Sequence, residues 1–153
     1  MSIKVIAIGN RLMGDDGVAI HVIKKLSKNL EESGIKVIIG EVDFQYCLGK
    51  IEEGDYIIII DATLFGIEPG TVTVNCLKDI YRLNHDHSMF SQHGYSLIKA
   101  LESYKAVEGV IVGIEGKSFD FNLSLSRDIE AAFHNICCKV YETIWSSVNN
   151  SYF

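Results

Sequence analysis

At 153 residues, with 48% hydrophobic and 22% charged positions, the chain is long enough to bury one sizeable core and short for two ordinary domains, so a single domain over 1–153 is expected. A formal charge of -6 and a pI near 5.3 argue against nucleic acid or an anionic membrane surface as partner, since both recruit clustered Lys and Arg. No apolar run reaches the roughly 20 residues of a membrane helix, no secretory pattern follows Met1, and Cys47, Cys76, Cys137 and Cys138 form no Cys-x-x-Cys pair, so a cytoplasmic protein with reduced thiols is expected. A monomer is the separate expectation for its assembly.

Ile3 to Ile8 reads as a buried strand ended by Gly9-Asn10. Val18, Val22, Leu26 and Leu30 then recur at helical spacing, widened by Ala19 and Ile23, which predicts a helix from about Asp16 to Leu30. Lys36 to Val42 is a second strand. Tyr56 to Ile60 is a third, whose unbroken apolar character marks a central parallel strand buried on both faces, with Asp61 at its carboxyl end. Pro69-Gly70 turns the chain into a fourth strand at Thr71 to Val74. Gly94 to Tyr104 is a short helix and Gly109 to Ile114 a fifth strand. Ser126 caps a last helix with Asp128 and Glu130 in its first turn, where carboxylates suit the helix dipole. Ile129, Phe133, Ile136, Val140 and Ile144 carry its apolar face to about Val148, and Asn149-Asn150-Ser151 reads as frayed. The expected fold is a three-layer α/β/α sandwich around a twisted, mostly parallel sheet of about five strands.

Ligands of open α/β sheets lie beyond the carboxyl ends of the strands. Asp16 follows the first strand by one loop, and Asp61 ends the third; if those strands are neighbours, their carboxylates share one cleft. His93, in the loop Ser91-Gln92-His93-Gly94, supplies a third wall. Two carboxylates and an imidazole suit a divalent ion such as nickel or zinc, and they equally suit general acid/base work. Each position also has a plainer reading. Asp15 and Asp16 stand where helix caps stand, and His93 in a polar loop can simply be solvated. His85-Asp86-His87 is a second His-rich cluster read as a solvated loop, and the adjacent Cys137 and Cys138 point in different directions on a helix.

Other templates are missing. There is no Gly-x-Ser-x-Gly elbow, no His-Glu-x-x-His helix and no Gly-x-x-x-x-Gly-Lys loop. The first loop lacks the glycine spacing of a dinucleotide fingerprint, and Asp15 and Asp16 would repel a pyrophosphate at that helix start. A flavodoxin-like nucleotide-binding domain is therefore the weakest reading.

The run Ile8-Gly9-Asn10-Arg11-Leu12-Met13-Gly14-Asp15-Asp16-Gly17 closely resembles the N-terminal signature of the hydrogenase maturation endopeptidases. Ile59-Ile60-Asp61-Ala62 resembles their second acidic motif, followed by Pro69-Gly70-Thr71, and Ser91-Gln92-His93-Gly94 their histidine motif. Val112-Gly113-Ile114-Glu115 and Leu125-Ser126 match in order, so the resemblance runs from about residue 3 to residue 145. It implies that Asp16, Asp61 and His93 are nickel ligands. It also implies that the nickel arrives in the substrate, a hydrogenase large-subunit precursor, from which a C-terminal extension is removed. Two positions depart from the family pattern. Phe44-Gln45-Tyr46 replaces the usual Gly-Gly-Thr after Asp43, and Gly116 stands where proline is common. The first departure admits a non-cleaving module that only holds the precursor, with Phe44 to Tyr46 blocking the scissile segment.

Overall fold

The computed structural model describes residues 2–83, 92–104 and 106–151. The apolar runs form β1 (Ile3–Ile8), β2 (Lys36–Glu41), β3 (Tyr56–Thr63), β4 (Val72–Cys76) and β5 (Glu108–Glu115). They make one sheet in the order β2-β1-β3-β5-β4, parallel except for the β4–β5 pair. All eight residues of β3 are buried, as the run of four isoleucines requires of a central strand. Alternate residues point to opposite faces. Val5, Ala7, Ile58 and Ile60 meet α1 (Val18–Glu32) and α5 (Arg127–Ser151), whereas Ile6, Ile8, Ile57 and Ile59 meet α2 (Phe44–Gly49), α3 (Leu77–Leu83) and α4 (Gln92–Tyr104). Two apolar cores thus sandwich the sheet, each isoleucine contributing about 1.5–3 kcal/mol by leaving water.

Several boundaries differ from the sequence reading. The helix expected from Asp16 begins at Val18, because Gly14–Gly17 forms a 3-10 turn ahead of it. The short helix α2 is added, capped by the Asp43 carboxylate, which accepts from Tyr46 N at 2.9 Å. Residues 149–151 are helical rather than frayed: Ser147 and Val148 are buried, and their packing holds the last turn of α5 in place. Cys137 is buried and Cys138 exposed, facing different ways as the helix geometry requires. His85, Asp86 and His87 lie outside the described residues.

At the amino ends of the strands, Lys4 and Asp55 form a buried ion pair at 2.6 Å. Lys4 also donates to Lys50 O at 2.7 Å, and Asp55 accepts from Glu52 N at 2.8 Å and Ser2 N at 3.2 Å. Burial would raise the Asp55 carboxyl, but the Lys4 ammonium and these backbone donors outweigh it and hold its pKa below the usual range. Among the described residues, no helix is long and apolar enough to cross a membrane.

Candidate functional site

β1 leads through α1 on one face of the sheet to β2, and β2 returns through α2 on the other face to β3. The connections diverge between β1 and β3, which are parallel neighbours with Ala7 opposite Ile60. That crevice is the topological switch point of an open α/β sheet, where the loops part and leave room for a ligand.

Asp61 lies within β3 rather than at its end, opposite Gly113 of β5 and one residue beyond the Ala7–Ile60 pair, level with the end of β1. It is fully buried, and its Oδ1 accepts from Ala62 N at 2.8 Å. The first turn of α4 is laid against it. A Cβ at Gly94 would overlap Asp61 Oδ2 and press on Ile8 Cδ1 at 3.2 Å, so glycine alone allows this approach. His93, partly buried, is the residue before it in the same turn. Gly94→Ala is therefore expected to cost about 1–3 kcal/mol through overpacking, read as a lowered thermal unfolding midpoint; an unchanged midpoint would contradict the close packing.

Asp16 lies in the 3-10 turn that touches β3. Its Oδ2 accepts from Asn10 N at 2.9 Å, which ties the carboxylate back to the loop leaving β1. Gly9, at φ 139, makes this fold-back possible, because a Cβ there would collide with Asp16 O. Asp16, in the 3-10 turn after β1, and Asp61 of β3, with Gly94 of α4 laid against it, thus lie at the same edge of the sheet. Among the described residues, no three His, Cys, Asp or Glu side chains converge closely enough to hold a metal ion by themselves.

Asp15 does not cap α1. It is fully buried, and its carboxylate accepts from Ser126 N (2.8 Å), Lys117 N (2.8 Å), Ser118 N (2.9 Å) and Ser126 Oγ (2.7 Å). Burial alone would raise its pKa, but the hydrogen bonds from Ser118, Ser126 and Lys117 outweigh it, and the pKa is lowered. Glu115 plays the corresponding part for the loop after β3. It is buried and accepts from Thr63 Oγ1 at 2.8 Å and from the amides of Phe65, Gly66 and Ile67 at 2.9, 3.0 and 3.2 Å. Gly116 N donates to Thr63 O at 3.0 Å, a bond that a proline at this position lacks the hydrogen to make. Both carboxylates escaped the local reading because their partners are distant in sequence. The one signal for Glu115 was its place in the Val112–Glu115 motif.

The hydrogenase maturation protease family model matches residues 20–143, a span that contains Asp61 and His93 and begins after Asp16. A candidate hydrogenase maturation protease of Methanocaldococcus jannaschii is 31% identical over 140 residues, covering 85% of this chain and 88% of that protein. A second from the same organism is 32% identical over 126 residues, covering 76% and 73%. Among solved structures, the [NiFe] hydrogenase maturation protease HybD from Thermococcus kodakarensis superposes with a TM-score of 0.75 at 24% identity, covering 94% of this chain and 99% of that one. The hydrogenase maturating endopeptidase HybD from E. coli gives 0.75 at 21% identity, covering 96% and 94%. At these identities the two structures speak for the fold, and the sequence matches carry the assignment: the chain belongs to the hydrogenase maturation protease family.

Proposed function

We propose that this protein is the endopeptidase that removes the C-terminal extension of a hydrogenase large-subunit precursor after nickel has been inserted, acting as a monomer in the cytoplasm. The observation that supports it most directly is the buried Asp61 carboxylate at the β1/β3 crevice, packed under the turn of α4 that carries His93. Nickel belongs to the substrate in this reading. The carboxylates of Asp16 and Asp61 offset its charge, and His93 offers a ring nitrogen. That these side chains do not form a closed ligand set suits an ion that brings precursor ligands with it. Asp16, Asp61 and His93 would hold that nickel, which would supply either a recognition tag that positions the precursor's tail or, in addition, polarisation of a carbonyl or a water at the scissile bond. Cleavage then waits for correct metal insertion. The four cysteines are free thiols, which suits a reducing compartment.

The Phe44-Gln45-Tyr46 departure does not by itself argue for a non-cleaving module. Phe44 is half-buried and packs against the core beneath the sheet, and Gln45 and Tyr46 are exposed, Tyr46 at 47%. Mass spectrometry of nickel-loaded precursor incubated with the protein is expected to show loss of one discrete C-terminal peptide, and none with Asp16→Asn. An intact precursor that still co-purifies would instead make the chain a binding module.

A further inference from the structure

All but two of the large apolar side chains that stand exposed among the described residues, the exceptions being Val74 and Tyr104, lie on segments that follow the carboxyl ends of the strands. The two most exposed of this rim are Phe121 at 75% and Leu123 at 69%. They sit on a tied-down loop. Asn122 N donates to Leu12 O at 2.9 Å, and Gly14 N donates to Asn122 O at 2.9 Å. Ser124 N donates to Asn122 Oδ1 at 2.8 Å, and the ends of the loop are fastened to Asp15 through Lys117, Ser118 and Ser126. Leu12, itself 49% exposed, lies beside them.

A loop whose backbone is fixed at so many points while it holds two large apolar side chains in water has already lost the entropy that binding would otherwise remove. Isolated exposed apolar residues are ordinary, but a preorganised group beside a cleft marks a contact surface. Its occupant follows from connectivity. Asn122 is hydrogen-bonded on both sides of Met13, in the same loop that carries Asp16, so a partner that delivers a metal to Asp16 lies against Leu12, Phe121 and Leu123.

We infer that this loop is a second docking element for the precursor, with Phe121, Leu123 and Leu12 anchoring an apolar strip of its folded body beside the root of the tail. The inference rests on the function proposed above and adds to it a surface that selects the substrate away from the reacting bond. Such anchors change affinity more than turnover.

The test is steady-state cleavage of the nickel-loaded precursor by wild type, Phe121→Ser/Leu123→Ser and Leu12→Gln, with Val74→Ser as a control remote from the crevice. The double variant is expected to raise KM by about tenfold or more, as loss of a central contact does, with the change falling on KM rather than kcat. Leu12→Gln should move KM in the same direction, and Val74→Ser should match wild type. If the double variant unfolds, Leu12→Gln decides. If wild type cleaves and the loop variants match it, the anchor is overturned while the protease reading stands. A wild-type dimer in sedimentation velocity that the double variant dissolves would assign the surface to a second copy of the chain and overturn the anchor too. If wild type neither cleaves nor retains the precursor, the function itself fails and the anchor with it.

Discussion

Asp61→Asn is expected to abolish precursor cleavage while leaving the protein folded. Asparagine has nearly the same shape and keeps an amide oxygen to accept from Ala62 N, now 2.8 Å from Oδ1. What disappears is the negative charge, and in a fully buried position that charge acts with little screening on an incoming cation. The expected loss in kcat/KM is on the order of a thousandfold, equivalent to about 4 kcal/mol of transition-state stabilisation. Activity of the variant on the nickel-loaded precursor, measured beside its thermal unfolding, checks this. A merely structural Asp61 would give the reverse pattern, a lowered midpoint with cleavage within tenfold of wild type.

The largest effect on stability is expected at Asp15. Its carboxylate receives four donors at 2.7–2.9 Å, and Asp15→Asn puts an NH2 group against at least one of them in either amide orientation. Hydrogen bonds to a charged acceptor contribute about 1.5–3 kcal/mol each, and a buried unmet N–H costs a further 1–3 kcal/mol or so. A loss of roughly 3 kcal/mol follows, near 10 °C in the unfolding midpoint for a chain of this size. The pH dependence has a definite sign. Because the folded Asp15 pKa lies below its ordinary value of 3.8, its contribution is fully present above that value and is lost as pH falls through the folded pKa. Wild type should therefore lose stability on acidification below about pH 4 more steeply than Asp15→Asn. Asp55, also lowered, leaves a shared residual slope in both proteins. Parallel acid titrations of the two would remove the assignment of this slope to Asp15.

The strands and the two long helices were legible because their signals are local: four consecutive isoleucines for β3, and apolar residues at helical spacing for α1 and α5. The parallel pairing of β1 with β3, on which a shared cleft for Asp16 and Asp61 depended, is observed. The helix α2 was not legible, since its six residues are too short to display a period, and its cap at Asp43 looks like any polar residue after a strand. Asp15 looks like a helix cap in the sequence and is not one. A carboxylate before an apolar helical stripe has that appearance, whereas its actual donors at Lys117, Ser118 and Ser126 are 102, 103 and 111 residues further along. The Ser91–Gly94 motif reads as a loop, but His93 lies in the first turn of α4, where the glycine beside it lets the helix close on Asp61.

The bonds from Asp15 to Lys117, Ser118 and Ser126 also set an order of events during synthesis. A chain growing on the ribosome completes β1, α1 and β3 long before it contains the donors that fix the loop bearing Asp16. Contacts this distant in sequence close late, after the loop between them has been shortened by the intervening sheet. The crevice walls can form early, but their register with the first loop waits until residue 126 has left the exit tunnel and β5 has paired with β3. A nascent chain that stops short of residue 126 thus holds Asp16 and Asp61 without the full set of bonds that fixes the loop between β1 and α1.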